Sequence, residues 1–338
     1  EDEYNYGIDA SVTILDVGLL PSLKAVVLTT TPFVPSAGPY ALTVDAIVDR
    51  APARNVMGSV TVPLQLSFLV ARYGFDDFRD LGADSAGGND GAAVGGPTVV
   101  AGQSGRALNF DNIDDYVSVP YNRDLAITGD ITLAAWIKRD SLSEYGGLIA
   151  KTDGANTWDF DLQFQNGQDT LALYSDTTGP STIVSSNTVS DTAWHHIAFT
   201  RRGNLATFYI DGADAGTATL DGGFGLNQNP IRIGTDGPAW DPSSMFHGSM
   251  DDVRIYNRAL TATEIQALMS RPRVSIAHSG SNVVISWPAA AMDFVLESTD
   301  NLASGNWSTV NESIIPSGDL NTVTVPVGSG STFYRLKE

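Results

Sequence analysis

The sequence has no cysteine, little positive charge and no long hydrophobic run. The missing cysteines exclude a disulfide framework, a thiolate nucleophile and any cysteine-ligated zinc or iron–sulfur centre. With 19 lysines and arginines against 39 acidic residues, the net charge is −20. This excess disfavours nucleic acid and anionic membranes as partners, because both bind basic surfaces. No apolar stretch approaches the ~18 residues of a membrane-spanning helix, so we expect no membrane insertion.

The chain also lacks the long hydrophobic repeats of helical proteins. Short β-branched segments alternate instead with clusters of Gly, Asn, Asp and Pro along its 338 residues, a pattern typical of strands and turns. One helix is predicted within residues 257–271, where Thr261 and Glu264 have the spacing of a capping box and Pro272 follows. Because the sequence begins at Glu1 without a methionine or a leader, we expect a processed or trimmed chain.

Changes in composition divide the chain into three regions. A strand-like segment near 63–71 leads into a loop rich in Gly and Asp, and Arg271-Pro272-Arg273 has the character of a linker. The sequence therefore predicts an N-terminal β segment at residues 1–66, a central domain at 67–271 and a small β domain at 272–338.

Four motifs of the central region occur in a characteristic order. They are GRALNFDNIDDYVSVP (105–120), ITLAAWIK (131–138), WHHIAFT (194–200) and GSMDDVRIYNRALTATEI (248–265). Together they resemble a laminin-G-like domain of the concanavalin A-like lectin/glucanase superfamily, in its bacterial secreted form. The resemblance implies a jelly-roll of two antiparallel sheets. The predicted fold class is therefore all-β, with a central jelly-roll (concanavalin A-like) sandwich flanked by two smaller β modules.

The two flanking regions differ in whether they resemble a known kind of domain. Residues 272–338 resemble the immunoglobulin- or fibronectin-III-like modules that end large secreted bacterial proteins, which implies a spacer or attachment role. Residues 1–66 contain about four strand candidates, whereas a free-standing immunoglobulin sandwich has about seven. One hypothesis is self-association of this segment through edge strands. The alternative is a small independent sheet packed on the central domain.

A structural Ca²⁺ is the cofactor that the sequence favours. Calcium binds six to eight oxygen ligands, and the loop 84–91 offers many carboxylate, amide and carbonyl oxygens. The resemblance implies one ligand at Asp251, just before the Val-Arg-Ile-Tyr strand, because related domains hold calcium where their first and last strands meet. Asp76, Asp84 and Asn89 complete the predicted ligand set. The alternative is that the loop is only a solvated turn.

A glycan site is predicted on the strand that begins at Trp158. In a strand, side chains alternate between two faces, so Asp159, Asp161, Gln163 and Gln165 are expected to form one polar row. Such a row could hydrogen-bond to sugar hydroxyls, and Trp240, between Gly and Pro residues, could stack on a sugar ring. The alternative is that the polar residues only solvate an outer face and that Trp240 folds over a sheet edge.

Enzymatic activity is not expected. The superfamily includes glycoside hydrolases with catalytic carboxylates on one strand, and Asp159 and Asp161 could form such a pair. However, Gln163 and Gln165 stand where a further acid would be needed, so the hydrolase pattern is broken.

The predicted function is non-catalytic recognition or adhesion outside the cell. The central domain is expected to bind an extracellular polysaccharide or a surface protein, at the cell surface or after secretion. Two alternatives remain open from the sequence: a structural subunit of a surface layer or extracellular filament, and a divergent glycoside hydrolase.

Overall fold

The computed structural model describes residues 6–8, 14–19, 26–30, 40–44, 58–64 and most of 68–337. Within the last range, the residues that are not described are 155, 166, 238–241, 271–273, 289–290, 292–293, 303–304, 318–319 and 329. The chain divides into two compact units, Glu1–Ser67 and Phe68–Glu338. No helix among the described residues combines the length and hydropathy needed to cross a membrane.

The first unit contains small antiparallel sheets. Its described strands are β1 (Tyr6–Ile8), β2 (Ile14–Leu19), β3 (Val26–Thr30), β4 (Tyr40–Val44) and β5 (Val60–Leu64). Strand β4 lies between β1 and β5, and β2 pairs with β3 as a separate two-stranded sheet. The Thr43 and Thr61 hydroxyls are 2.9 Å apart across β4 and β5. β1, which begins at Tyr6, adds a strand to the four candidates recognised from the sequence.

The central part of the second unit consists of two large antiparallel sheets. Its strands are β6 (Leu69–Tyr73), β7 (Ala92–Val94), β8 (Thr98–Ala101), β9 (Arg106–Asp111), β10 (Tyr116–Val119), β11 (Ile131–Arg139), β12 (Gly146–Thr152), β13 (Trp158–Phe164), β14 (Thr170–Tyr174), β15 (Thr178–Gly179), β16 (Thr182–Thr188), β17 (Trp194–Arg202), β18 (Leu205–Ile210), β19 (Ala213–Thr219), β20 (Asp221–Gly222), β21 (Ile231–Ile233) and β22 (His247–Tyr256). Short 3-10 helices lie at Arg123–Leu125 and Pro242–Ser244.

The order of the strands defines the sandwich. One sheet has the order β16-β14-β13-β12-β21-β10-β7, and the other has β19-β18-β17-β11-β22-β9-β8, with β6 also paired to β22. Apolar side chains from both sheets meet in one continuous core. The predicted all-β fold with a central two-sheet sandwich is therefore confirmed.

Strand β11 shows why the ITLAAWIK motif is apolar on both faces. It hydrogen-bonds to β17 on one side and to β22 on the other. Ile131, Leu133 and Ile137 point into the main core, whereas Ala134 belongs to a second apolar cluster that includes Ile265. A strand buried on both faces needs apolar residues at successive positions rather than at alternate ones.

The second apolar cluster includes the single α-helix among the described residues, α1 (Ala262–Leu268). The Thr261 hydroxyl accepts a hydrogen bond from the Glu264 amide, and the Glu264 carboxylate accepts one from the Thr261 amide. This confirms the capping box predicted from the sequence. Arg258 pairs with Glu264 at 2.9 Å and ties the start of the helix to the end of β22.

The C-terminal part of the second unit contains two further sheets. Its strands are β23 (Ser275–Ser279), β24 (Asn282–Pro288), β25 (Val295–Thr299), β26 (Ser308–Thr309), β27 (Ile315–Ser317), β28 (Leu320–Pro326) and β29 (Phe333–Lys337). They form the sheets β23-β24-β28-β27 and β26-β25-β29. A small core contains the fully buried Trp287 together with Ile285, Leu296 and Val323. The resemblance of this part to immunoglobulin or fibronectin-III modules stays a prediction.

Candidate functional site

Strand β13 carries most of the polar residues predicted to bind a ligand. Phe160, Leu162 and Phe164 belong to the core. Asp161 and Gln163 therefore lie on the opposite face of the strand, because side chains alternate. The pairing with β12 is irregular between Lys151 and Thr152, where β13 passes from Phe160 to Trp158. Asp159 falls in this irregularity, so it does not continue the row of Asp161 and Gln163.

Asp159 belongs to a closed ionic contact. Lys151 and Asp159 are both fully buried, and the lysine ammonium pairs directly with the carboxylate. The same ammonium donates to the Asn227 backbone carbonyl at 2.5 Å, and the Asn227 side-chain amide donates to Asp159 at 2.7 Å. The Asp159 carboxylate is therefore neutralised and hydrogen-bonded within the protein.

Asp161 has a different neighbour, Asp236, which follows β21. The two carboxyl groups interact directly; burial, followed by the charge of Asp236, raises the pKa of Asp161 well above its usual value. Burial also raises the pKa of Asp236. The Tyr145 hydroxyl contacts both Gln163 and Asp236, the latter at 2.7 Å. The structure thus separates Asp159 from Asp161, which the sequence placed in one row.

Two aromatic residues, Trp158 and Tyr174, lie beside Asp161 and Asp236. Together with the neighbouring Asp176 we call them the aromatic edge. The rings of Trp158 and Tyr174 meet edge to face, with their centroids 5.9 Å apart, and both are half-buried. The exposed Asp176 accepts from the Tyr174 hydroxyl at 2.6 Å and from the Trp158 amide at 2.8 Å. Simple alternation along β13 would put Trp158 on the same face as Phe160, and it cannot reveal the irregular pairing with β12.

Two predicted ligand residues remain, Gln165 and Trp240. Gln165 follows the end of β13 and is half-buried, and its backbone pairs with Thr170. Trp240 lies outside the described residues. Asp159, Asp161 and Gln163 are buried, whereas the residues of the aromatic edge and Gln165 are at least partly exposed.

Two of the predicted calcium ligands, Asp76 and Asp251, contact the same loop, residues 102–106. The Ser104 amide donates to Asp251 at 2.9 Å, and the Arg106 amide donates to Asp76 at 2.9 Å. The loop between them approaches both carboxylates closely: a Cβ atom added at Gly102 would contact Asp251, and one added at Gly105 would contact Asp76. Gly105 also has a φ of 73°, which favours glycine.

The Asp251 carboxylate is poorly satisfied by the protein. Its Oδ1 atom is buried without a hydrogen-bond partner among the described residues. Burial, together with the negative charges of Asp252 and Asp76, raises the pKa of Asp251 to about 7. A buried, partnerless carboxylate oxygen beside a second carboxylate fits a hard cation, which would bind the ionised form of both groups.

The other two predicted ligands have different partners. Asp84 accepts from the backbone amides of Arg72, Ala86 and Asn89. The Asn89 side-chain amide donates to the Val70 carbonyl at 2.9 Å. These contacts attach the loop to strand β6. None of the described contacts of Asp84 or Asn89 involves Asp76 or Asp251.

The comparison with known families identifies the central region. Residues 110–266 match the family model described as the concanavalin A-like lectin/glucanases superfamily, a laminin G family. This match supports a concanavalin A-like domain here, and the two-sheet sandwich that contains these residues is called the concanavalin A-like domain below. The matched residues include the aromatic edge, the Lys151–Asp159 pair and Asp251, whereas Asp76 precedes them.

Two curated relatives resemble the concanavalin A-like domain and its surroundings. One is adhesion G-protein coupled receptor V1 of Danio rerio, 28% identical over 164 residues, which cover 46% of this chain and 3% of that protein. The other is the sushi, von Willebrand factor type A, EGF and pentraxin domain-containing protein 1 of Rattus norvegicus. It is 28% identical over 201 residues, which cover 57% of this chain and 5% of that protein. The chain thus spans only a small part of these relatives.

A solved structure supports the fold. Domain 4 of AbnA, a GH43 extracellular arabinanase from Geobacillus stearothermophilus, solved in complex with arabinotriose, superposes with a TM-score of 0.50. It is 23% identical and covers 60% of this chain and 98% of its own. This similarity concerns the fold of the concanavalin A-like domain.

Proposed function

We propose that the protein is a non-catalytic recognition or adhesion protein that acts outside the cell and binds glycan through its concanavalin A-like domain. The aromatic edge is the observation that carries this proposal. Trp158 and Tyr174 offer partly exposed rings, and Asp176 offers an exposed carboxylate beside them. Apolar ring faces next to hydrogen-bonding groups suit a sugar, which has an apolar face and a rim of hydroxyls. The relative named as an adhesion receptor supports the same class of function.

The state of the two β13 aspartates supports binding rather than catalysis. Retaining glycoside hydrolysis needs two carboxyl groups about 5–5.5 Å apart on either side of the scissile bond. Asp159 is paired with Lys151 and Asn227, and Asp161 is buried against Asp236. Neither group can approach a substrate without breaking these contacts, so we infer that the aspartates have structural roles.

We further propose a structural Ca²⁺ held by Asp76 and Asp251. These carboxylates belong to the segment after β6 and to β22, and β6 and β22 are adjacent strands. A cation between the carboxylates would join the beginning of the concanavalin A-like domain to its end. It would also offset the repulsion of Asp251 by Asp76 and by Asp252, although Asp252 itself already pairs with Arg72 and Arg254.

A glycan array probed with Ca²⁺ and with a chelator tests the proposed function. We expect hits that weaken at least tenfold in affinity in Trp158→Ala and Tyr174→Ala, because each variant loses one ring. The matched control is Trp307→Ala, since Trp307 is a half-buried tryptophan of the C-terminal part. An array without hits, or hits that survive both ring substitutions, would contradict glycan binding at this edge. Loss of glycan binding in the presence of chelator would show that the binding also requires calcium.

A second candidate function is assembly into a surface layer or filament. It is favoured by the small sheets of the first unit, in which β1 and β5 are edge strands of the described three-stranded sheet and edge strands can pair with another chain. Size-exclusion chromatography with light scattering, on the whole chain and on a form lacking residues 1–66, should then show oligomers only for the whole chain. Monomers in both samples would contradict assembly through this segment.

A further inference from the structure

The aromatic edge contains a carboxylate that the protein holds in a fixed orientation. Asp176 is exposed, and both of its carboxylate oxygens accept a hydrogen bond. Oδ1 accepts from the Tyr174 hydroxyl at 2.6 Å, and Oδ2 accepts from the Trp158 amide at 2.8 Å. Because each carboxylate oxygen has two acceptor positions, each can receive a further donor from solvent. The edge therefore presents an oriented negative charge between two aromatic residues.

Further acidic groups lie behind this edge. Asp161 stands directly opposite Tyr174 in the pairing of β13 with β14, and neither of its buried carboxylate oxygens has a partner among the described residues. Asp161 interacts with Asp236, whose backbone carbonyl accepts from the Trp158 indole at 3.2 Å. The hydrogen bond to Asp176, burial, and the charges of Asp176 and Asp161 all raise the pKa of Tyr174. The negative charge behind the edge therefore reaches its ring.

Positive charge is scarce on the same sheet. Its seven strands contain two basic residues, Lys151 and Arg232. The Lys151 ammonium pairs with the buried Asp159, and the Arg232 guanidinium donates to the backbone carbonyls of Gly237 and Asp153. Both cations thus bind groups of the protein, and the whole chain carries a net charge of −20. An acidic glycan would meet repulsion on this sheet.

The rings of the edge favour the same sign of ligand charge as the carboxylate does. Trp158 and Tyr174 are half-buried and meet edge to face. The face of an aromatic ring attracts a cation, most strongly in tryptophan. A hydrogen bond between an ammonium and a carboxylate is stronger than one between neutral groups. An ammonium group at this edge would gain both interactions, whereas an N-acetyl group carries no charge and would gain neither.

We propose that the aromatic edge selects glycans that contain amino sugars with free, protonated amino groups, in preference to N-acetylated and acidic glycans. This inference rests on the proposed glycan binding and adds the class of glycan. The apolar face of the sugar packs on the Trp158 ring, and its ammonium group donates to Asp176. Tyr174 is a positioning residue for that carboxylate, because its hydroxyl binds Oδ1.

Isothermal titration with two matched trisaccharides tests the selection. One is a glucosamine trimer with free amino groups, and the other is the same trimer in N-acetylated form, both at pH 6, where the amino groups are protonated. The wild type should bind the free-amino trimer about fivefold more tightly, as expected for one exposed ion pair beside an aromatic ring. Asp176→Asn should remove this preference and leave the affinity for the N-acetylated trimer unchanged.

Three controls separate charge from structure. Asp214→Asn is the matched variant, because Asp214 is also exposed and accepts a backbone amide, but lies on β19 in the other sheet. It should bind both trimers as the wild type does. Trp158→Ala should weaken both trimers, since both lose the ring. Higher ionic strength should weaken only the free-amino trimer, because salt screens exposed charges. Circular dichroism verifies that each variant is folded.

Three results would overturn the selection and leave glycan binding at the edge intact. The first is equal affinity of the wild type for both trimers. The second is an equal loss of both trimers in Asp176→Asn, which would give Asp176 a purely structural role. The third is tighter binding of a galacturonic acid trimer than of the free-amino trimer. A glycan array without any hits would contradict the proposed function itself, so the two failures are distinguishable.

Discussion

Replacement of Lys151 by alanine is expected to reduce the free energy of unfolding by about 3–5 kcal/mol. The substitution leaves the fully buried Asp159 carboxylate without its cationic partner. Asn227 supplies a hydrogen bond to Asp159 but no charge. Water cannot compensate easily, because both side chains are sealed within the domain. Urea denaturation of Lys151→Ala and of the wild type measures this loss directly.

A paired substitution separates the cost of an unpaired charge from the value of the ion pair. In Lys151→Met combined with Asp159→Leu, both charges disappear and much of the side-chain volume remains. We expect this double variant to recover most of the lost stability, because two well-packed apolar residues can replace a buried ion pair at little cost. A loss below about 1 kcal/mol in Lys151→Ala would contradict the burial of this contact.

The second large effect concerns pH and calcium at Asp251. Its pKa is raised to about 7 by burial and by the neighbouring charges of Asp252 and Asp76. A carboxyl group whose pKa is higher in the folded state stabilises the fold when it is protonated. That stability is fully present at acidic pH, and it is lost as the pH rises toward 7. The loss amounts to at most about 4 kcal/mol, since one pKa unit corresponds to about 1.4 kcal/mol.

Calcium should reverse this dependence. The cation binds the ionised carboxylates, so added Ca²⁺ should raise the melting temperature at pH 7 and have little effect near pH 4. Melting curves from pH 4 to pH 8, with Ca²⁺ and with a chelator, measure both trends. Asp251→Asn should flatten the chelator curve relative to the wild type and remove the part of the Ca²⁺ effect that belongs to this site.

The difference between Asp251→Asn and the wild type is the decisive quantity. Three other buried carboxyl groups, Asp115, Asp161 and Asp236, also have raised pKa values and contribute pH dependence of the same sign. Asp161→Asn therefore serves as the matched control, because it should change the pH dependence without removing the Asp251 contribution. If Asp251→Asn and the wild type had identical pH and calcium profiles, Asp251 would have no role in metal binding.

The sequence predicted those features that depend on neighbours along the chain. The short apolar segment ITLAAWIK is a strand, β11, as the strand-and-turn pattern predicted, and the spacing of Thr261 and Glu264 predicted the start of α1; both are confirmed. These patterns are local, since side-chain direction in a strand and capping in a helix depend on residues a few positions apart.

The site was less predictable because its geometry depends on distant pairing. Simple alternation placed Asp159 and Asp161 in one row, but the irregular pairing of β12 with β13 gives them different partners. No local pattern in the sequence marks Asp236 as a site residue, since its contact with Asp161 arises only when β12 brings β13 and β21 together. The sequence likewise gave no means to distinguish Asp76 and Asp251, which share a loop, from Asp84 and Asn89.

The pairing of β6 with β22 has a consequence for how this domain is made and combined. The strand that opens the sandwich lies beside the strand that closes it. During synthesis, the hydrogen bonds of β6 and β11 are complete only after β22 has been made, so a chain truncated before His247 should remain unfolded. In the finished domain, the points of entry and exit lie side by side. A module with this arrangement can be inserted between the parts of a longer protein without forcing those parts apart.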